Sequence, residues 1–172
     1  MAVVTETKLH APFMLHELGY LVLPGFVPPE LLTELRKRVE SLWEREGDNA
    51  GSEFRIEPGT RRLANLVDKG AVFADLVTMP EILECIEHVI GPDYKLSSFN
   101  ARSANPHNGE SQALHADAGA IADEFGYWVC NTIWMLDDFT AENGATRIIL
   151  APTLGAVFPS QASPTPSLSK SW

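Results

Sequence analysis

The stretch "QALHADAG" at residues 112–119 sets an imidazole, His115, two residues before a carboxylate, Asp117. In an extended chain, side chains at i and i+2 leave the same face. The pair would then project together while Leu114 and Ala116 face the other way. An imidazole beside a carboxylate can offer two adjacent ligands to one divalent ion, such as iron(II), manganese or zinc. Two histidines and one carboxylate on one face leave positions open for oxygen and a cosubstrate. The triplet alone also has a plainer reading, a surface His–Asp pair on a strand, because such triplets are common by chance. The elements that carry the pair decide between the two.

At 172 residues the chain is long enough for one domain with a core. Apolar residues make up 45% and charged residues 21%, an ordinary globular composition. The formal net charge of −10 argues against nucleic acid or an anionic membrane surface as partners. No apolar run approaches the roughly 18 residues of a membrane span. The N-terminal "MAVVTETKLH" has no apolar core of a secretory signal. Cys85 and Cys130 are isolated and flanked by apolar residues. They read as reduced core thiols, so a cytoplasmic location is expected.

Two helices stand out. In "PPELLTELRKRVESLWEREG", Leu31, Leu35, Val39 and Leu42 recur at spacings of three and four. Pro28 and Pro29 open the pattern and Gly47 closes it, predicting a helix over 28–46. In "PEILECIEHVIG", Pro80 and Gly91 bracket a stripe of Ile82, Cys85, Ile86 and Val89, predicting a helix over 80–90. His88 lies beside that stripe and reads as structural. A short strand is expected at 20–23 and a turn at Lys69-Gly70. After Gly91 the character becomes extended. Strands are expected in "YKLSSFNARSA", "QALHADA" and "YWVCNTIWMLDDF", the last buried between two layers. Asn143-Gly144 reads as a hairpin turn. Helices first and antiparallel strands second give an α+β class with a sandwich or jelly roll. Residues 1–150 read as the domain and 151–172, with four prolines and five serines, as a disordered tail. Arg61, Arg62 and Lys69 could attract an acidic substrate, although a solvated loop is the simpler reading.

The order of these pieces resembles the phytanoyl-CoA dioxygenase family of iron(II)/2-oxoglutarate oxygenases. The resemblance runs through "LGYLVLPGFVPPELLTELRKRV", "LANLVDKGAVFADLV", "PEILECIEHVIG", "QALHADAG" and "NTIWMLDDFTAENGATRI", covering residues 12 to 149. It implies N-terminal helices packed outside a double-stranded β-helix, a cupin-like jelly roll. It implies Fe(II) and 2-oxoglutarate, with O2 and a small organic metabolite as the other substrates. Carried over by position, His115 and Asp117 match the first two metal ligands. Gln112 matches a position that approaches 2-oxoglutarate in some members, which needs a bend or bulge before His115. Trp134 and Thr146 match positions that line the cosubstrate pocket, and Asn65 a position that can face substrate. Core packing for Trp134, and a loop or helix-end role for Asn65, are alternatives that the residues themselves leave open. Asp117 also speaks against the halogenating relatives, which carry a small residue there.

Two parts of the family pattern are missing. The histidines are His10, His16, His88, His107 and His115, so none follows Asp117 to serve as the third ligand. The one arginine after Asp117 is Arg147, which does not match the arginine that anchors 2-oxoglutarate. Four or five strands can be counted where a jelly roll has about eight. The chain is therefore expected to be a truncated or mis-spliced member, inactive by itself. The shortfall also fits a fragment completed by a partner chain, a homodimer included, or a non-catalytic remnant. The rival from another class is a non-catalytic β-sandwich binding module; a zinc hydrolase would need more ligands than are present.

Overall fold

The computed structural model describes residues 14–54, 59–105, 115, 117, 123–140 and 142–148. Helix α1 spans Pro29–Glu46. Pro29 at its first turn has no N–H to satisfy, and the Gly47 N–H closes the far end on the Trp43 carbonyl. The apolar stripe points inward: Leu35, Val39 and Leu42 are buried, and Leu31 and Trp43 pack beside them. Strand β1, Thr60–Leu63, follows, then a 3₁₀ turn at Leu66–Lys69 and helix α2 at Ala71–Val77. Helix α3 spans Pro80–Ile90 and strand β2 spans Ala101–Ala104.

β1 and β2 pair antiparallel, with Thr60 opposite Ala104 and Leu63 opposite Ala101. Leu63 turns into the core, where Leu66, Val72, Phe73 and Leu76 meet the α1 stripe. The Phe73 ring meets Phe99 edge to face at 6.1 Å between centroids. Phe99, Ala101, Trp134 and Leu136 complete the cluster. The core thus lies between α1, β1 and α2, closed on one side by residues around 99–101 and 134–136.

Both predicted helices form with the expected punctuation, and Lys69-Gly70 makes the expected turn. Gly70 is needed there: its φ is +153°, and a Cβ would stand 3.1 Å from Arg38 Nε. Other expectations need correction. The α3 stripe is only half-buried, with Ile82 its one buried side chain among the described residues. Residues 20–23 form no strand, and "YKLSSFNARSA" forms one only at Ala101–Ala104. Residues 127–139 also lack a strand, and Trp128, Ile133 and Met135 are 64%, 59% and 46% exposed. Strand preference is a fit to a pleated, half-buried surface rather than a property of the backbone. Among the described residues that run pairs with no other strand.

The Asn143-Gly144 turn exists, with Gly144 at φ +77°, but carries no ladder among the described residues. Asn143 is committed elsewhere: its Nδ2 donates to the Asp138 carbonyl, and its Oδ1 accepts the Thr140 N–H. It therefore closes a local loop instead of a hairpin. The described β structure is the β1–β2 ribbon and an isolated bridge between Asp123 and Gly126. The class is α+β. No described helix is long and apolar enough to cross a membrane.

Candidate functional site

His115 Nε2 lies 3.4 Å from Asp117 Oδ1, with the two side chains 48% and 56% exposed. The side-by-side placement expected from the i, i+2 spacing is present. His115 and Asp117 themselves carry no strand assignment, and the rest of "QALHADA" falls outside the described residues. Asp117 Oδ2 accepts a hydrogen bond from Asn131 Nδ2 at 2.5 Å. The carboxylate is thus held on one oxygen while the other faces the imidazole. Metal–nitrogen and metal–oxygen lengths of about 2.0–2.2 Å put two ligands of one ion roughly 3.0–3.5 Å apart. The separation of His115 Nε2 and Asp117 Oδ1 falls within that range. Among the described residues, no cluster of three His, Cys, Asp or Glu side chains forms around them.

The site hangs from the core through residues 130–137. Cys130 is half-buried. Burial pushes its thiol pKa up, and the nearby Cys85 of α3 adds to the shift. Burial also raises Cys85, with Glu84 reinforcing it. Both thiols are thus held protonated and poorly nucleophilic. Trp134 tilts against Phe26, with ring centroids 6.1 Å apart. Arg36 on α1 donates to the Leu136 carbonyl and pairs with Asp137 at 3.4 Å. Asn131 stands between these anchors and Asp117.

The other predicted residues are dispersed. Trp134 joins the core, but its indole N–H is buried without an acceptor among the described residues. Asn65 precedes the 3₁₀ turn in the left-handed conformation, φ 52° and ψ 45°, which asparagine tolerates better than most residues. Its carbonyl accepts the Asp68 N–H, so the backbone alone gives a reason for asparagine there. Thr146 is exposed just beyond the 142–144 turn. Gln112 falls outside the described residues.

Arg61, Arg62 and Lys69 have structural partners rather than a free face for acidic ligands. Arg61 forks onto Glu40 at 3.1 and 3.2 Å and lies 4.0 Å over the Trp43 ring. Arg62 lies 4.5 Å over Phe54. Lys69 sits between Glu46, at 2.9 Å, and Glu53. A hollow of about 240 Å³ beside Trp43, Thr60 and Arg61 shares no lining residue with the His115–Asp117 pair.

The Lys69 clamp makes a testable pH dependence. The hydrogen bond from Lys69 is the main cause holding the Glu53 carboxyl below its ordinary pKa. Burial pulls the Lys69 ammonium down, but the bonds to Glu53 and Glu46 outweigh it and leave the pKa raised. A lowered carboxyl stabilises the fold above its ordinary range and loses that contribution as pH falls through the lowered value. A raised ammonium contributes fully below its ordinary value and loses it as pH rises through the raised one. The clamp should therefore be complete between roughly pH 5 and 10. Lys69→Met is expected to cost about 1.5–3 kcal/mol at neutral pH, the range for hydrogen bonds to charged groups. Urea melts at pH 7 and pH 3 check this: the gap between variant and parent should narrow at pH 3.

Comparison with known proteins places the chain. The family model for phytanoyl-CoA dioxygenase (PhyH) matches residues 15–159. The chain is 31% identical over 147 residues to "Dioxygenase af480" of Aspergillus fumigatus, covering 78% of this chain and 45% of that protein. It is 26% identical over 156 residues to "Dioxygenase trt7" of Aspergillus terreus, covering 84% of this chain and 54% of that protein. The chain spans about half the length of these curated relatives. No solved structure matches it. With the family model covering most of its length, this chain belongs to the phytanoyl-CoA dioxygenase family.

Proposed function

We propose that the chain carries the first part of the metal centre of an Fe(II)/2-oxoglutarate-dependent oxygenase acting on a small organic metabolite. One observation carries the reading: His115 Nε2 and Asp117 Oδ1 stand 3.4 Å apart, a ligand–ligand separation, in a chain of this family. The two dioxygenase-named relatives support the reaction class. His115 and Asp117 would hold Fe(II), the group that in this family couples oxygen and 2-oxoglutarate to substrate oxidation. Trp134 has a second reason to be included. A buried N–H without an acceptor costs about 1–3 kcal/mol, and a carboxylate of the cosubstrate would satisfy it. Gln112 and Thr146 are assigned to the same cosubstrate by family position, and Asn65 to substrate. The framework would be the family's double-stranded β-helix, to which the exposed apolar residues of 125–148 would contribute inner and outer faces.

Cobalt(II) tests the centre without requiring turnover. Titration of the full chain, followed by visible absorption, is expected to show one equivalent bound per chain. His115→Ala should weaken it at least tenfold, roughly the loss typical of a disturbed metal shell. Binding that survives in His115→Ala would return the pair to a surface contact and favour a non-catalytic module.

A further inference from the structure

We infer that Asn131 is a positioning residue for the metal-binding carboxylate, fixing which oxygen of Asp117 is offered beside His115. The inference rests on the metal-centre reading above. Asn131 is the one amide in the run "YWVCNTIWMLDDF", between Cys130 and Thr132 with mainly aromatic and aliphatic residues on either side. Its side chain is exposed, so water could satisfy the amide, yet its Nδ2 donates to Asp117 Oδ2 at 2.5 Å. Opposite an ionised carboxylate, the amide must present its NH2 group, because its own oxygen would meet like charge. The bond is therefore charge-assisted and directional. Its consequence is geometric. With Oδ2 engaged, the free lone pairs of Asp117 lie mainly on Oδ1, the oxygen 3.4 Å from His115 Nε2.

The donor itself is well held. Its neighbour Cys130 is half-buried, Trp134 three residues on is in the core cluster, and Leu136 is tied to α1 by Arg36. Asp117, by contrast, is half-exposed and carries no strand assignment. Without Asn131 it could rotate either oxygen toward solvent. Order thus passes from the core through Asn131 to the ligand, the arrangement by which outer partners tune a metal site.

Cobalt(II) binding to the full chain separates this from a structural role. Asn131→Ala is expected to weaken the apparent affinity roughly tenfold and to shift the visible band, since the carboxylate binds in a changed mode. Asn131→Gln retains an amide donor and should keep the parent's band. The metal-free melting temperature should be the same in all three. Unchanged affinity and band in Asn131→Ala would overturn the inference. So would a lowered metal-free melt in that variant, or a Gln variant that falls as far as Ala. His115→Ala, run alongside, isolates the cause: if it too binds cobalt like the parent, the metal-centre reading fails. If His115→Ala loses cobalt while Asn131→Ala does not, only the positioning role fails.

Discussion

Phe73→Ala should remove about 3–5 kcal/mol from the stability of this chain, the range for deleting a large aromatic from a packed core. Phe73 is 1% exposed and is the largest fully buried side chain among the described residues. It stands on α2, where it packs with the α1 stripe and meets Phe99 edge to face. Its loss would open a cavity bordered by three different elements, and a cavity shared between elements collapses poorly. Leu35→Ala, on α1 alone, should cost about 2–5 kcal/mol. Small domains have only about 5–15 kcal/mol in total, so either change takes a large share. Urea denaturation followed by far-ultraviolet circular dichroism measures both. A Phe73→Ala midpoint equal to the parent's would mean that α2 does not pack on α1 as described.

The parts of this fold legible in the sequence are those written in local chemistry. Helix α1 could be placed because its apolar spacing and its terminal Pro29 and Gly47 act within one segment. The closeness of His115 and Asp117 followed from a two-residue spacing, and it holds although neither residue carries a strand assignment. What escaped depended on partners distant in sequence. Strand β1 includes two adjacent arginines, Arg61 and Arg62, and reads as a polar loop until β2 is set against it. Arg61 becomes a structural residue only once Glu40 and Trp43 on α1 lie beside it. The run from Tyr127 to Phe139 has the composition of a buried strand, yet composition supplies neither ladder nor cover. Asn131 left one trace, the one amide in the run from Tyr127 to Phe139, that could have marked it.

The 172-residue chain by itself is expected to release no succinate from 2-oxoglutarate above the uncatalysed background, even with Fe(II) and oxygen supplied. The reason lies in its residue inventory. No histidine follows Asp117, and among the described residues only His115 and Asp117 stand together as ligands, so an ion held by that pair would have solvent for the rest of its shell. Two ligands hold iron weakly and leave open which positions oxygen and cosubstrate take. The cosubstrate also lacks its anchor. A dianion is best gripped by a guanidinium that forms two parallel hydrogen bonds with one carboxylate. The one arginine beyond Asp117 is Arg147, on exposed backbone beyond the 142–144 turn. The Trp134 N–H, without an acceptor among the described residues, offers a single neutral donor, worth about 0.5–1.5 kcal/mol net, too little to replace a bidentate charged pair. Weak metal binding and absent turnover should therefore occur in the same protein. Succinate measured by mass spectrometry, beside a cobalt titration of the same preparation, tests both at once. Sustained succinate release that disappears in Asp117→Ala would show that the chain finds its third ligand and its anchor by some other route, and would overturn the two-ligand account of the site.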